Sequence, residues 1–126
     1  MMIPARSHSA RVLIVMENRI VCDVVSECVR ELGHHPEIVG SRPFMTAFVR
    51  FKPDVVVLDI ERQHDDGFEL LQWMADVDYT GSVIAVSRSA LYLKMIQAIA
   101  DATGRMKLRP MAWPFERRQL TTLLAA

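Results

Sequence analysis

The sequence predicts a doubly wound α/β domain, a five-stranded parallel sheet with helices on both faces, and three observations carry that expectation. Two runs, 11–16 (RVLIVM) and 54–59 (DVVVLD), are near-continuous in apolar, mostly β-branched residues, as strands buried on both faces are. Short apolar runs alternate with longer segments of helical period along the whole chain, which implies parallel strands joined by right-handed crossovers. The 126 residues are 51% hydrophobic, enough for one domain with its own core.

In chain order, residues 1–9 carry Pro4, Arg6 and His8 and no continuous apolar stretch. They are expected to be a short mobile tail, not a secretory signal, ahead of a single domain over 10–126. After the first strand, Asn18 is placed to cap a helix whose apolar stripe is Val21, Val24, Val25, Cys28 and Leu32. Gly33 stands where a helix end favours a left-handed residue. A weak strand is expected over 36–39, and Ser41 then starts a helix with Phe44, Ala47, Phe48 and Phe51 inward. Pro53 ends that helix ahead of the strand 54–59. Asp66-Gly67 opens a helix carrying Phe68, Leu71 and Met74 inward, and residues 81–86 form the fourth strand. Ser89 caps a helix lined by Ile96, Ile99 and Ala100 and ended by Gly104; a weaker strand over 106–112 and a last helix over 115–124 follow.

Fifteen basic and fifteen acidic residues give zero formal net charge, which argues against non-specific nucleic-acid or membrane-surface binding. No apolar run approaches the roughly 20 residues of a membrane-spanning helix. Cys22 and Cys28 fall on one helix but on different sides of it, so reduced thiols in a cytoplasmic protein are expected. No glycine-rich turn follows the first strand, so a dinucleotide cofactor has no support.

In an open parallel sheet the functional cleft lies beyond the C-terminal ends of the strands. Glu17, Asp59, Ser87 and Trp113-Pro114 are expected to meet there. Two acids on central strands with a hydroxyl opposite suit a hard dication and a phosphoryl group. These residues, with the stretches 12–17, 53–59, 66–71 and 83–87 and Pro114-Phe115, resemble the receiver domain of two-component response regulators over nearly the whole chain. The resemblance implies a flavodoxin-like sheet of order 2-1-3-4-5 and a signalling module that is not an enzyme. It also implies Asp59 as acceptor of a phosphoryl group from a histidine kinase or phosphotransferase, with Ser87 contacting that group. Magnesium would be held by Glu17, Asp59 and the backbone carbonyl of Glu61. An output protein or a second copy would dock on the face from the fourth strand to the last helix, where Met111, Phe115, Leu120, Leu123 and Leu124 exceed what the core needs.

The chain departs from the family pattern where charge matters most. Met16-Glu17 replaces a pair of acids, Trp113 replaces the lysine before the proline, and Arg88 replaces a small residue after Ser87. The loop Glu61-Arg62-Gln63-His64-Asp65 lacks the usual proline. A charge pair about 4 Å apart is worth roughly 4 kcal/mol at an effective dielectric of 20, so both losses matter. Phosphorylation of Asp59 is expected to be impaired and magnesium binding weak or absent. A phosphorylation-independent pseudo-receiver and the receiver part of a longer regulator remain as alternatives. A hydrolase using Asp59 as nucleophile is disfavoured, because such enzymes require an Asp where Glu61 stands. The plain alternatives are a strand-end Asp59, a first-turn acid at Glu17, a turn hydroxyl at Ser87 and a packing role for Trp113. His64 beside Asp65 and Asp66 is expected in a solvated polar loop, His34-His35 in a loop after a helix, and Met74, Met95, Met106 and Met111 as filler.

Overall fold

Five parallel strands form one sheet in the order β2-β1-β3-β4-β5. They are β1 (Arg11–Val15), β2 (His35–Ile38), β3 (Val55–Asp59), β4 (Ser82–Ser87) and β5 (Lys107–Ala112). Five helices follow them in turn: α1 (Arg19–Glu31), α2 (Phe44–Phe51), α3 (Gly67–Asp76), α4 (Ala90–Ala102) and α5 (Arg117–Ala125). The computed structural model describes residues 9–102 and 104–125, so all of the expected tail but Ser9 lies outside the described residues. Among the described residues, no helix is long and apolar enough to cross a membrane.

The continuous apolar runs are explained by helices on both sides. Val12, Ile14, Val57, Ile84 and Val86 point to one face and pack against Cys22, Val25, Cys28 and Val29 of α1 and Leu120 and Leu124 of α5. Leu13, Val15, Val56, Leu58, Val83 and Ala85 point to the other, against Phe44, Leu70, Leu71, Met74 and Ile96. Alternation along each strand divides the two cores. Truncating a fully buried side chain such as Leu58 to alanine costs about 3 kcal/mol.

Several boundaries and faces differ from the expectation. On α1 the buried side runs through Cys22, Val25, Cys28 and Val29, whereas Val24 and Leu32 are 40% and 38% exposed. The helix is turned so that its small residues, cysteines included, fit between the sheet and α5. Both cysteines are free and buried. Residues 39–42 make a turn, the Arg42 amide donating to the Val39 carbonyl, so Pro43 and not Ser41 precedes α2. Proline has its φ set for that position and needs no donor. Strand β2 begins one residue earlier than expected, at His35, and His34 Nδ1 accepts from the Ala10 amide. α5 begins only at Arg117, where the Gln119 side chain accepts from the Glu116 amide at 2.7 Å. Met111, Leu120 and Leu124 are buried, and Phe115 and Leu123 pack on them, so these residues are core and not surplus. The exposed apolar residues of this region are instead Leu91, Tyr92 and Met95 on α4.

Two caps anchor the elements that border the functional end. Asn18 Oδ1 accepts from the Val21 amide at 3.1 Å, and Asp66 Oδ1 accepts from the Phe68 amide at 2.9 Å. Gly67, the first residue of α3, lies directly against the backbone of Ile60. A Cβ at this position would sit 2.6 Å from the Ile60 Cα and carbonyl oxygen.

Candidate functional site

The ladder places the candidate residues at one rim. Asp59 pairs with Val86, the Ile60 amide donates to the Val86 carbonyl, and the Trp113 amide donates to the Ser87 carbonyl at 2.9 Å. β3, β4 and β5 therefore end at nearly the same level, with Asp59, Ser87 and Trp113 as neighbours.

Asp59 is the centre of this rim. Its Oδ1 accepts from the Glu61 amide at 3.0 Å. Burial pushes its carboxyl above the ordinary aspartate range, and the charges of Glu61 and Glu17 push the same way. The Glu61 amide and the Arg88 guanidinium oppose the rise without cancelling it. The pocket at Asp59 is lined by Met16, Asn18, Val21, Glu61, Val86, Arg88 and Trp113 and encloses about 30 Å³. That is room for a water and little more.

Trp113 and Arg88 close one side. The Arg88 guanidinium lies 5.7 Å from the centre of the Trp113 ring, and Trp113 meets Phe115 edge-on at 5.2 Å. The Arg88 amide donates to Glu61 Oε1 at 2.9 Å, which ties β4 to the loop after β3. Ser87 is buried, and its Oγ accepts from the Ser89 amide at 3.0 Å. Its hydroxyl thus serves the turn into α4 and is not among the pocket-lining groups.

Glu17 takes part in a different cluster. Its carboxylate meets His64 Nδ1, accepts from the Gln63 amide at 3.4 Å and lies 3.6 Å from Arg62 Nε. Burial raises its pKa, but the hydrogen bonds from His64 and the Gln63 amide outweigh that and leave it lowered. His64 lies in a solvated loop as expected, half exposed, and meets Glu17 from outside.

Arg62 had no role in the sequence reading. Its side chain is 1% exposed, yet its neighbours come from three loops. Nε lies 3.1 Å from Asp65 and 3.6 Å from Glu17, and Nη2 donates to the Arg42 carbonyl at 3.1 Å. The Nε contacts are close ion pairs without aligned hydrogen bonds, and Nη1 is buried with no hydrogen-bond partner. The sequence signal was a single arginine in the otherwise acidic and polar loop 61–66, between two strongly predicted elements.

Whether these residues fit a magnesium ion can be judged from the donors. A hard dication needs several oxygens converging on one point. Of the expected three, Asp59 and Glu61 are residues of the pocket, while Glu17 is engaged by His64, Gln63 and Arg62. Met16 contributes a thioether where an oxygen would serve. Among the described residues no group of three or more His, Cys, Asp or Glu side chains is arranged to hold a metal. As arranged, the donor set does not fit the ion.

No family model and no curated protein matches the chain. Solved structures do match, among them response regulator receiver domains. A CheY-like receiver protein from Methanospirillum hungatei superposes with a TM-score of 0.77 at 18% identity, over 94% of this chain and 92% of that one. Chemotaxis protein CheY4 of Vibrio cholerae gives 0.73 at 19% identity, over 94% and 98%. NtrX of Brucella abortus gives 0.76 at 19% identity, over 94% of this chain but 26% of that longer one. The chain has the flavodoxin-like receiver fold, with the strand order the sequence led us to expect.

Proposed function

We propose that the domain acts in two-component signalling as a receiver-fold interaction module that holds one state, with phosphoryl transfer to Asp59 impaired. The observation that carries this reading is the narrow pocket at Asp59, which offers a phosphoryl group no lysine and carries Met16 where the family has an acid. The pocket at Asp59 holds only about 30 Å³ and is bordered by Trp113, an uncharged side chain where the family has a lysine, and by Arg88 in place of a small residue. The Ser87 Oγ accepts from the Ser89 amide, which fixes the oxygen in the turn into α4. Signalling would then rest on binding an output protein or a second copy through the surface that includes α4, where Leu91 is 64% exposed. The buried free thiols Cys22 and Cys28 fit a reducing, cytoplasmic setting.

A test is amide NMR of the whole chain with millimolar magnesium and beryllofluoride, a mimic of an aspartyl phosphate. No shift beyond that of the Asp59→Asn variant is the expected result. Shifts centred on Asp59, Glu61 and Ser87 that vanish in that variant would overturn it. They would establish the second reading, an Asp59 that still accepts a phosphoryl group from a histidine kinase or phosphotransferase. That reading has one observation in its favour: only Oδ1 of Asp59 is held by the Glu61 amide, so the carboxylate keeps an oxygen toward the pocket.

A further inference from the structure

We infer that the Arg62 guanidinium is the resident cation of this rim, taking the charge-balancing and loop-bridging place of a divalent metal and making the domain indifferent to such metals. The inference rests on the reading above for the identity of the rim, and it concerns a residue that reading does not use.

The argument begins with burial. A guanidinium whose side chain is 1% exposed cannot be left uncompensated, because a lone buried charge is strongly disfavoured. Its compensation comes from its own loop and from two segments distant in sequence. Glu17 lies between β1 and α1, Asp65 between β3 and α3, and the Arg42 carbonyl between β2 and α2. One side chain thus draws three loops of the rim together through oxygen atoms, as a multidentate ion does. Arginine suits the task, being always charged and presenting five donors in a fixed plane.

A dication entering the rim would meet a filled arrangement. The Glu17 carboxylate is clasped on one side by His64 and the Gln63 amide and faces Arg62 on another. Asp65 is paired with the same guanidinium. The entering ion would have to compete with a covalently attached cation for Glu17, against like-charge repulsion. Met16 is buried beside Glu17 and adds no further carboxylate for an ion to use. An ordinary structural ion pair would predict only lost stability when Arg62 is removed. A resident cation predicts that its removal also creates an affinity for metal.

The test is a manganese titration of the whole chain with paramagnetic broadening of amide signals as readout, and no phosphoryl mimic present. For the wild type, no broadening centred on Glu17 or Asp59 is expected at millimolar manganese, and the unfolding midpoint should be the same in magnesium and in EDTA. Arg62→Gln is expected to bind manganese at least about tenfold more tightly than the wild type, with broadening at Glu17 and Asp65 and a midpoint that rises with magnesium. Should Arg62→Gln not fold, Arg62→Met, which removes the charge and keeps an unbranched side chain to fill the space, gives the same readout. Unchanged manganese affinity in the folded variant would overturn the inference. So would submillimolar binding at Glu17 and Asp59 with Arg62 in place. Metal binding without any beryllofluoride response would sink this inference alone. A beryllofluoride response in a protein that binds no metal would sink the function reading alone.

Discussion

The two walls of the rim are built by different physics. On the β1 and β3 side, Glu17, Arg62, His64 and Asp65 form a charged cluster around a buried guanidinium. On the β4 and β5 side, Arg88, Trp113 and Phe115 form a stacked cap with one cation over a ring. Glu61 joins them, its amide on Asp59 and its carboxylate on the Arg88 amide. Charged contacts act through both pH and salt, whereas stacked contacts act through area removed from water. The first wall should therefore respond to solution conditions and the second to side-chain size.

Removing the cation breaks the comparison most severely. Arg62→Ala leaves Asp65 and Glu17 partly buried without their partner and is expected to lower stability by about 3–5 kcal/mol, measured by urea unfolding. Trp113→Ala should cost less, about 2 kcal/mol, because the ring is only partly buried, and urea unfolding of this variant should be nearly insensitive to salt. A salt-dependent loss there would show that the cap also depends on charge.

Asp59 stands between the walls and sharpens the contrast by its sign. Its carboxyl is raised by burial, so ionised Asp59 disfavours the folded state at neutral pH. Asp59→Asn is expected to raise stability by up to about 1 kcal/mol near pH 7. The gain should shrink as pH falls through the raised folded pKa and vanish below the unfolded one. Glu17 is the opposite case and the smallest effect, since its side chain is a quarter exposed. Its lowered pKa gives stability that is present above the unfolded value near 4.5 and lost as pH falls through the folded one. Glu17→Gln should flatten that part of the stability–pH curve and leave the Trp113 side unchanged.

How much of this was legible in the sequence depends on whether an element is defined locally. β1 and β3 show plainly because burial on both faces demands unbroken apolar residues. Asn18 and Asp66 show as caps because their partners are three and two residues away. The orientation of α1 did not show, since Val24 and Leu32 fit a helical stripe as well as Cys22 and Val29 do, and α5 decides between them. Asp59, Glu61 and Trp113 were rightly expected at one pocket, because strand ends place them whatever their partners. Ser87 lies at the same rim, where its Oγ also accepts from the Ser89 amide of the following turn. The positions of Glu17 and His64 depend on contacts spanning 46 and 47 residues, which no local pattern encodes. Arg62 was missed for the same reason: charged residues are almost never fully buried unless paired, and its Glu17 and Arg42 partners are remote in sequence.

Gly67 has a consequence for exchange of parts between proteins. With α3 seated against Ile60 at a distance that excludes any side chain, the chain enters and leaves residues 61–66 through a fixed neck. A segment closed in this way is a transplantable cassette, its ends set by the host and its interior free to vary. Moved with its flanking Ile60 and Gly67 into another domain of this fold, it would carry Arg62, His64 and Asp65 as one unit. Only an acid at the position of Glu17 and a carbonyl at that of Arg42 would have to be waiting in the recipient.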